Sequence, residues 1–127
     1  MTKQQAVNYW LKSAQKSSLV AKDNFKLKHY DWCLFFWHLT LEKTLKGLIV
    51  LTDTTPPPSH DLHKLIQATK TQPNDLQLEE LKVITNFNLE ARYDDYKFTF
   101  YKKANQNYTK LWSKKSENIY LWLKKQY

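Results

Sequence analysis

Apolar positions recur every three to four residues along almost the whole chain, which is the period of an amphipathic helix and not the alternation of a strand. Over about residues 3 to 27, Val7, Trp10, Leu11, Ala14, Ser18, Ala21 and Phe25 fall on one stripe, with Lys3, Lys12, Lys16 and Lys22 off it. A second helix is predicted over about 31 to 52, opening at Asp31 as N-cap. Cys33, Phe36, Trp37, Leu41, Leu45 and Leu48 line one side of it, and Leu34, Phe35, Leu39 and Ile49 line another. A helix apolar on most faces belongs in the middle of a bundle.

The run Thr52 to Ser59, with three consecutive prolines, ends that helix, because proline lacks the N–H and clashes with the preceding turn. Ser59 reads as the cap of a short helix over about 60 to 70, with Leu62, Leu65, Ile66 and Thr69 inward. Gln72-Pro73-Asn74 breaks the pattern again. A fourth helix over about 75 to 90 presents Leu78, Leu81, Ile84, Thr85 and Asn88. Residues 91 to 100 lose the period and read as a loop or one short turn. A last helix over about 101 to 125 aligns Tyr101, Tyr108, Leu111, Trp112, Ile119 and Trp122. The expected fold is all-α: an up-and-down antiparallel bundle of about five helices, one domain spanning 1–127.

Composition narrows the chemistry. One glycine, Gly47, excludes the glycine-rich phosphate loops, which need at least two. One cysteine, Cys33, excludes an internal disulfide and cysteine-based zinc sites. No apolar run has the length of a membrane span and the N-terminus lacks the apolar core of a signal peptide, so a cytoplasmic location without membrane association is expected. The net charge is +8, and Lys102 to Tyr127 holds seven lysines against the single acid Glu117. Such a segment attracts polyanions or an acidic partner surface, or simply keeps a helix face solvated. Nineteen lysines accompany one arginine, Arg92. Its planar fork grips a phosphate at two points, which an ammonium does not do.

Three constellations hold candidate chemistry. His38, Glu42 and Lys46 repeat every fourth residue along one helical stripe, where Glu42 and Lys46 can pair across a turn. Ser59-His60-Asp61-Leu62-His63 opens the third helix; free N–H groups and imidazoles there would suit an anion, His60 with His63 would suit a metal if a third ligand were in reach, and Ser59 and Asp61 would otherwise simply cap the helix. Glu90-Ala91-Arg92-Tyr93-Asp94-Asp95-Tyr96 sets two carboxylates beside the arginine, as acid–base or metal ligands or as ordinary turn acids.

Tyr30, the run Trp37 to Leu48 (WHLTLEKTLKGL), Ser59-His60-Asp61-Leu62 and Ala91-Arg92-Tyr93, in this order and spacing, resemble the HEPN domain, the higher eukaryote and prokaryote nucleotide-binding domain. The resemblance covers nearly the whole chain. It implies a helical bundle that is often a homodimer, handling of nucleotides or RNA, and, for small prokaryotic members, a minimal nucleotidyltransferase partner, often as a toxin–antitoxin pair. Some members are metal-independent ribonucleases, whose signature is an arginine followed after four to six residues by a histidine. Here Lys97, Phe98 and Thr99 stand where that histidine belongs. A protonated lysine is a poor general base near neutral pH.

The resemblance therefore implies a nucleotide- or RNA-phosphate-binding protein with no catalytic set, no cofactor and no metal. Arg92 is the expected phosphate grip and Tyr93 a stacking or hydroxyl contact, while Lys46, Lys97, His38 and His60 supply secondary contacts and Glu42 orients Lys46 or Arg92. The alternatives are a divergent ribonuclease, in which His38 or His60 meets Arg92, and a purely structural partner subunit.

Overall fold

The computed structural model describes all residues from Met1 to Tyr127. Six helices and no strands are present: α1 (Lys3–Lys26), α2 (Tyr30–Leu51), α3 (Leu62–Gln67), α4 (Asp75–Arg92), α5 (Thr99–Lys103) and α6 (Gln106–Lys124). Their boundaries follow local chemistry. Thr2 and Gln5 form a capping box at the start of α1: the Thr2 hydroxyl accepts from the Gln5 N–H at 3.1 Å, and the Gln5 side chain accepts from the Thr2 N–H at 2.8 Å. Asn74 and Gln77 do the same for α4. After α1 the chain reverses through Lys28, with φ of 64°, and after α2 through Asp53, with φ of 62°.

Two expected caps are displaced. Asp31 is not the N-cap of α2 but lies inside its first turn; His29 occupies the cap position without a side-chain bond. The cap of α3 is Asp61 and not Ser59: the Asp61 carboxylate accepts from the His63 and Lys64 N–H groups, while the Ser59 hydroxyl accepts from the Asp61 N–H.

α2 is the central helix. Thirteen of its twenty-two residues are buried, and α1, α3, α4 and α6 all pack on it. Trp37, Leu34, Leu41, Leu45 and Ile49 fill the core from α2, met by Leu62, Leu65 and Ile66 of α3, Leu81, Ile84 and Phe87 of α4, and Leu123 of α6. Phe87 joins three elements, with its ring 5.8 Å from Phe100, 6.4 Å from Tyr108 and 6.0 Å from Trp112. The Cys33 thiol, buried against the Ser113 hydroxyl, is pushed up to about 11 by desolvation. No helix is long and apolar enough to cross a membrane.

The largest departure from the sequence pattern lies near the C-terminus. The last helix starts at Gln106, capped by Asn105, and residues 99–103 form a separate short helix. Of the expected stripe, Ile119 is buried and Tyr108, Trp112 and Trp122 pack against the core. Tyr101 and Leu111 are exposed, and the buried face of α6 is Thr109, Ser116, Ile119, Tyr120 and Leu123. Two small polar residues, Thr109 and Ser116, are fully buried on that face, so apolar positions alone described only part of it.

Candidate functional site

The middle of α2 carries a buried polar network. The Glu42 side chain is 7% exposed, and its two carboxylate oxygens each take a donor: Lys46 Nζ at 3.0 Å and His60 Nδ1 at 2.7 Å. The Lys46 ammonium, 10% exposed, also lies 5.9 Å from the centre of the Trp10 ring. His60 thus bridges the residues before α3 to α2, with its own side chain 60% exposed.

His38 reinforces the same junction. Its Nε2 is 2.8 Å from the His60 carbonyl oxygen. A carbonyl only accepts, so Nε2 carries the proton and Nδ1 holds the lone pair. That Nδ1 is buried without a partner. Desolvation by burial lowers the His38 pKa, against the opposing pull of the His60 carbonyl and Glu42, and the nearby charges of His60 and Arg92 press it further down. His38 is therefore a neutral strut.

Arg92 is the last residue of α4 and is exposed. Its Nε donates to the Asn88 carbonyl at 3.0 Å, one turn back. The guanidinium carbon lies 5.8 Å from the Phe35 ring centre and 5.2 Å from that of Tyr93. No carboxylate pairs with it. One edge of the fork is anchored to the backbone and the guanidinium lies over two rings, while the terminal nitrogens stay available. Phe35 is itself part of an aromatic chain, 5.6 Å from Trp32 and 5.2 Å from Phe36.

The structure separates the expected site residues into two groups. His38, Glu42, Lys46 and His60 are joined by hydrogen bonds, and Arg92 is close enough for its charge to act on His38. Arg92 and Tyr93 present themselves to solvent. Lys46 does not: burial and the pairing with Glu42 withdraw it from an external phosphate. Of the two partners expected for Glu42, Lys46 is the one bound, and the second carboxylate oxygen is taken by His60 and not by Arg92. Lys97 lies on the exposed turn after α4, its ammonium 5.6 Å from the Tyr96 ring centre.

Hydrogen bonding decides two alternatives that the sequence leaves open, in both cases for capping. The start of α3 is not an open anion site, because its N–H groups are already taken: Leu62 N–H donates to the Thr85 hydroxyl at 3.1 Å, and those of His63 and Lys64 donate to Asp61. Asp94 and Asp95 are not poised as acid–base or metal groups. Asp95 accepts from the N–H groups of Lys97 and Thr99 and from the Thr99 hydroxyl, and Asp94 accepts from those of Asp95, Phe100 and Tyr101. Together they cap α5, whose entry residue Phe98 holds a left-handed φ of 56°. The Thr99 hydroxyl and the backbone donors hold the Asp95 carboxyl below its usual value. For Asp94, desolvation raises the value, but three backbone donors outweigh it and leave the carboxyl low. No group of three or more His, Cys, Asp or Glu side chains converges on a metal-sized space.

Sequence reading missed Phe35 as the ring beneath the arginine, since it scored only as a second apolar face of α2. The Asn88 anchor was legible in principle from the four-residue spacing to Arg92.

The chain is similar in fold to the crystal structure of TT1696 from Thermus thermophilus, with a TM-score of 0.83 over 95% of this chain and 98% of that one, at 18% sequence identity. No curated protein matches it. The model of the HEPN domain matches residues 7–126, a span that holds all six helices' packed faces together with Glu42, His60 and Arg92, and the chain belongs to the HEPN domain family.

Proposed function

We propose that this HEPN protein binds the phosphate of a nucleotide or of RNA at Arg92. The observation that carries the reading is the state of that side chain: anchored through Nε, flanked by Phe35 and Tyr93, and free of any carboxylate. A guanidinium held this way has lost part of its rotamer freedom before the ligand arrives, so more of a two-point contact with phosphate appears as affinity. Glu42 and Lys46 neutralise each other inside the bundle, whereas the Arg92 charge has no carboxylate partner. Tyr93 and Trp32, both exposed, offer ring surface to a base.

The partners are those the family resemblance implies: a second copy of the chain and a minimal nucleotidyltransferase, as in a toxin–antitoxin pair. Leu89, Tyr93, Tyr96, Phe98 and Tyr101 are exposed on the segment around the end of α4 and support a role for that end in protein contact.

Fluorescence anisotropy with a short single-stranded RNA tests the phosphate reading. Arg92→Lys keeps the charge and loses the fork, and is expected to weaken binding about tenfold, or about 1.4 kcal/mol. Equal affinity of the two proteins contradicts it.

One observation favours a second reading, a metal-independent ribonuclease. The buried Glu42 carboxylate accepts from His60 Nδ1 and so orients an exposed ring with Nε2 free of any partner, the carboxylate–imidazole arrangement that positions an acid–base group. RNA cleavage that survives a chelator and disappears in both His60→Ala and Arg92→Ala would establish it, and intact RNA after prolonged incubation excludes it.

A further inference from the structure

A groove of about 410 Å³ runs between α1 and α6, on a different side of α2 from Arg92. Trp37 lies at its base, whereas Phe35 underlies Arg92. Two residues along a helix are about 200° apart around its axis, so one ligand group does not touch both places. The half-buried Phe25 ring supplies further apolar surface, and the Ser113 hydroxyl, which contacts Cys33, supplies a polar group.

The rims are lysines, in two pairs spaced by four residues: Lys22 and Lys26 on α1, Lys110 and Lys114 on α6. Their condition differs from that of three other lysines of the C-terminal segment. Lys103, Lys115 and Lys124 lie against the rings of Tyr108, Trp112 and Tyr120, and Lys115 also pairs with Glu80. In the groove, Lys22 pairs with Glu117 across the gap at 2.8 Å, but Lys26, Lys110 and Lys114 meet neither an acid nor a ring. Three uncompensated cations thus face one depression, with apolar surface beneath them.

We infer that this groove is a track for the sugar–phosphate backbone of single-stranded RNA. The inference rests on the proposal that the protein handles RNA, and it places a second contact away from Arg92. The charges are set along two walls, four residues or about 6 Å apart along the axis of each, which suits successive phosphates and not a single convergent anion. An acidic partner helix fits less well: one turn of helix, about 10 Å across and 5.4 Å long, already fills the available volume. An extended strand lays its sugar–phosphate edge in such a groove while its bases stay outside it.

The test is binding of fluorescein-labelled octauridylate by the full chain, measured between about 50 and 200 mM salt, for the native protein, the double variant Lys110→Gln/Lys114→Gln, and Arg92→Ala. Both lysines are exposed, and circular dichroism checks that the bundle is intact. Each single-strand phosphate neutralised contributes about 0.7 to the slope of log K against log salt, so the double variant is expected to show a slope shallower by about 1.4. A slope equal to that of the native protein overturns the groove. If the groove fails while Arg92→Ala still weakens binding, the Arg92 proposal stands alone. If the native protein does not bind the probe, both fall.

Discussion

Replacing Glu42 with glutamine should cost this protein far more than loss of an ordinary helix-surface ion pair. The carboxylate and the Lys46 ammonium are 7% and 10% exposed and 3.0 Å apart. At that distance the attraction is about 5 kcal/mol for an effective dielectric near 20, most of it offsetting the desolvation of the two charges. The amide of the Glu42→Gln variant offers one acceptor oxygen where the native carboxylate offers two, so either Lys46 or His60 would face an amide donor. The Lys46 charge would stay buried without a counter-charge. Removing one member of a buried pair costs about 3–5 kcal/mol, and the remaining amide contact puts the expected loss near the lower end, about 3 kcal/mol. For a chain of this length that lowers Tm by about 10–15 °C. The assay is urea and thermal unfolding of Glu42→Gln, Lys46→Met and the double variant Glu42→Leu/Lys46→Met. The double variant is expected to lose much less than the sum of the singles, because no charge is stranded. A loss below about 1 kcal/mol for Glu42→Gln, or simple additivity, would refute the buried-pair account.

Other consequences follow from single contacts. A Cβ at Gly47 would meet the Tyr127 hydroxyl, which donates to the Thr44 carbonyl, and Trp10 Cβ at 3.0 Å. Gly47→Ala is therefore expected to destabilise by about 1 kcal/mol despite the better helix propensity of alanine, and to cost less in a Tyr127→Phe background; a more stable Gly47→Ala protein contradicts this. Asp95→Ala should fray α5, read as faster amide exchange from Thr99 to Lys103; unchanged protection would show that the cap is idle. The Asp94 and Asp95 carboxyls are lowered on folding, so their contribution is present above about pH 3.9 and is lost as pH falls through the folded values. His38 is lowered as well: the unfolded chain binds its proton more readily, so stability tied to His38 is complete above about pH 6.5 and declines as pH drops below that toward the folded value. A His38→Gln protein should show a flatter dependence of unfolding free energy on pH across that window, and an identical dependence would sink the assignment.

The helices were legible because their stripes are long and regular, as along Val7, Ala14 and Ala21 or Leu41, Leu45 and Leu48, all buried. What the pattern did not show was capping and the start of the last helix. Periodicity carried the last helix back through Ala104 and Asn105, where a cap starts it afresh, and Leu111, apolar but exposed, sits at the edge of its stripe. Adjacent Asp94 and Asp95 look the same in sequence whether they serve chemistry or cap a helix; only the N–H groups of Thr99, Phe100 and Tyr101 decide it. The Glu42–Lys46 pair follows from a four-residue spacing, but His60 joins it across eighteen residues, a distance at which local pattern carries no signal. The lone arginine was visible by composition, whereas its aromatic setting needed the packing of α4 on α2.

The solitary Arg92 also makes the decisive measurement simple, since its Nε–H gives the one arginine side-chain signal in a nitrogen–proton correlation spectrum of the chain. Titrating a short single-stranded RNA into the labelled protein should shift that signal progressively to saturation, in step with the backbone amides of Asn88 to Tyr93. A signal that stays fixed while RNA binding saturates would contradict the guanidinium as the phosphate grip.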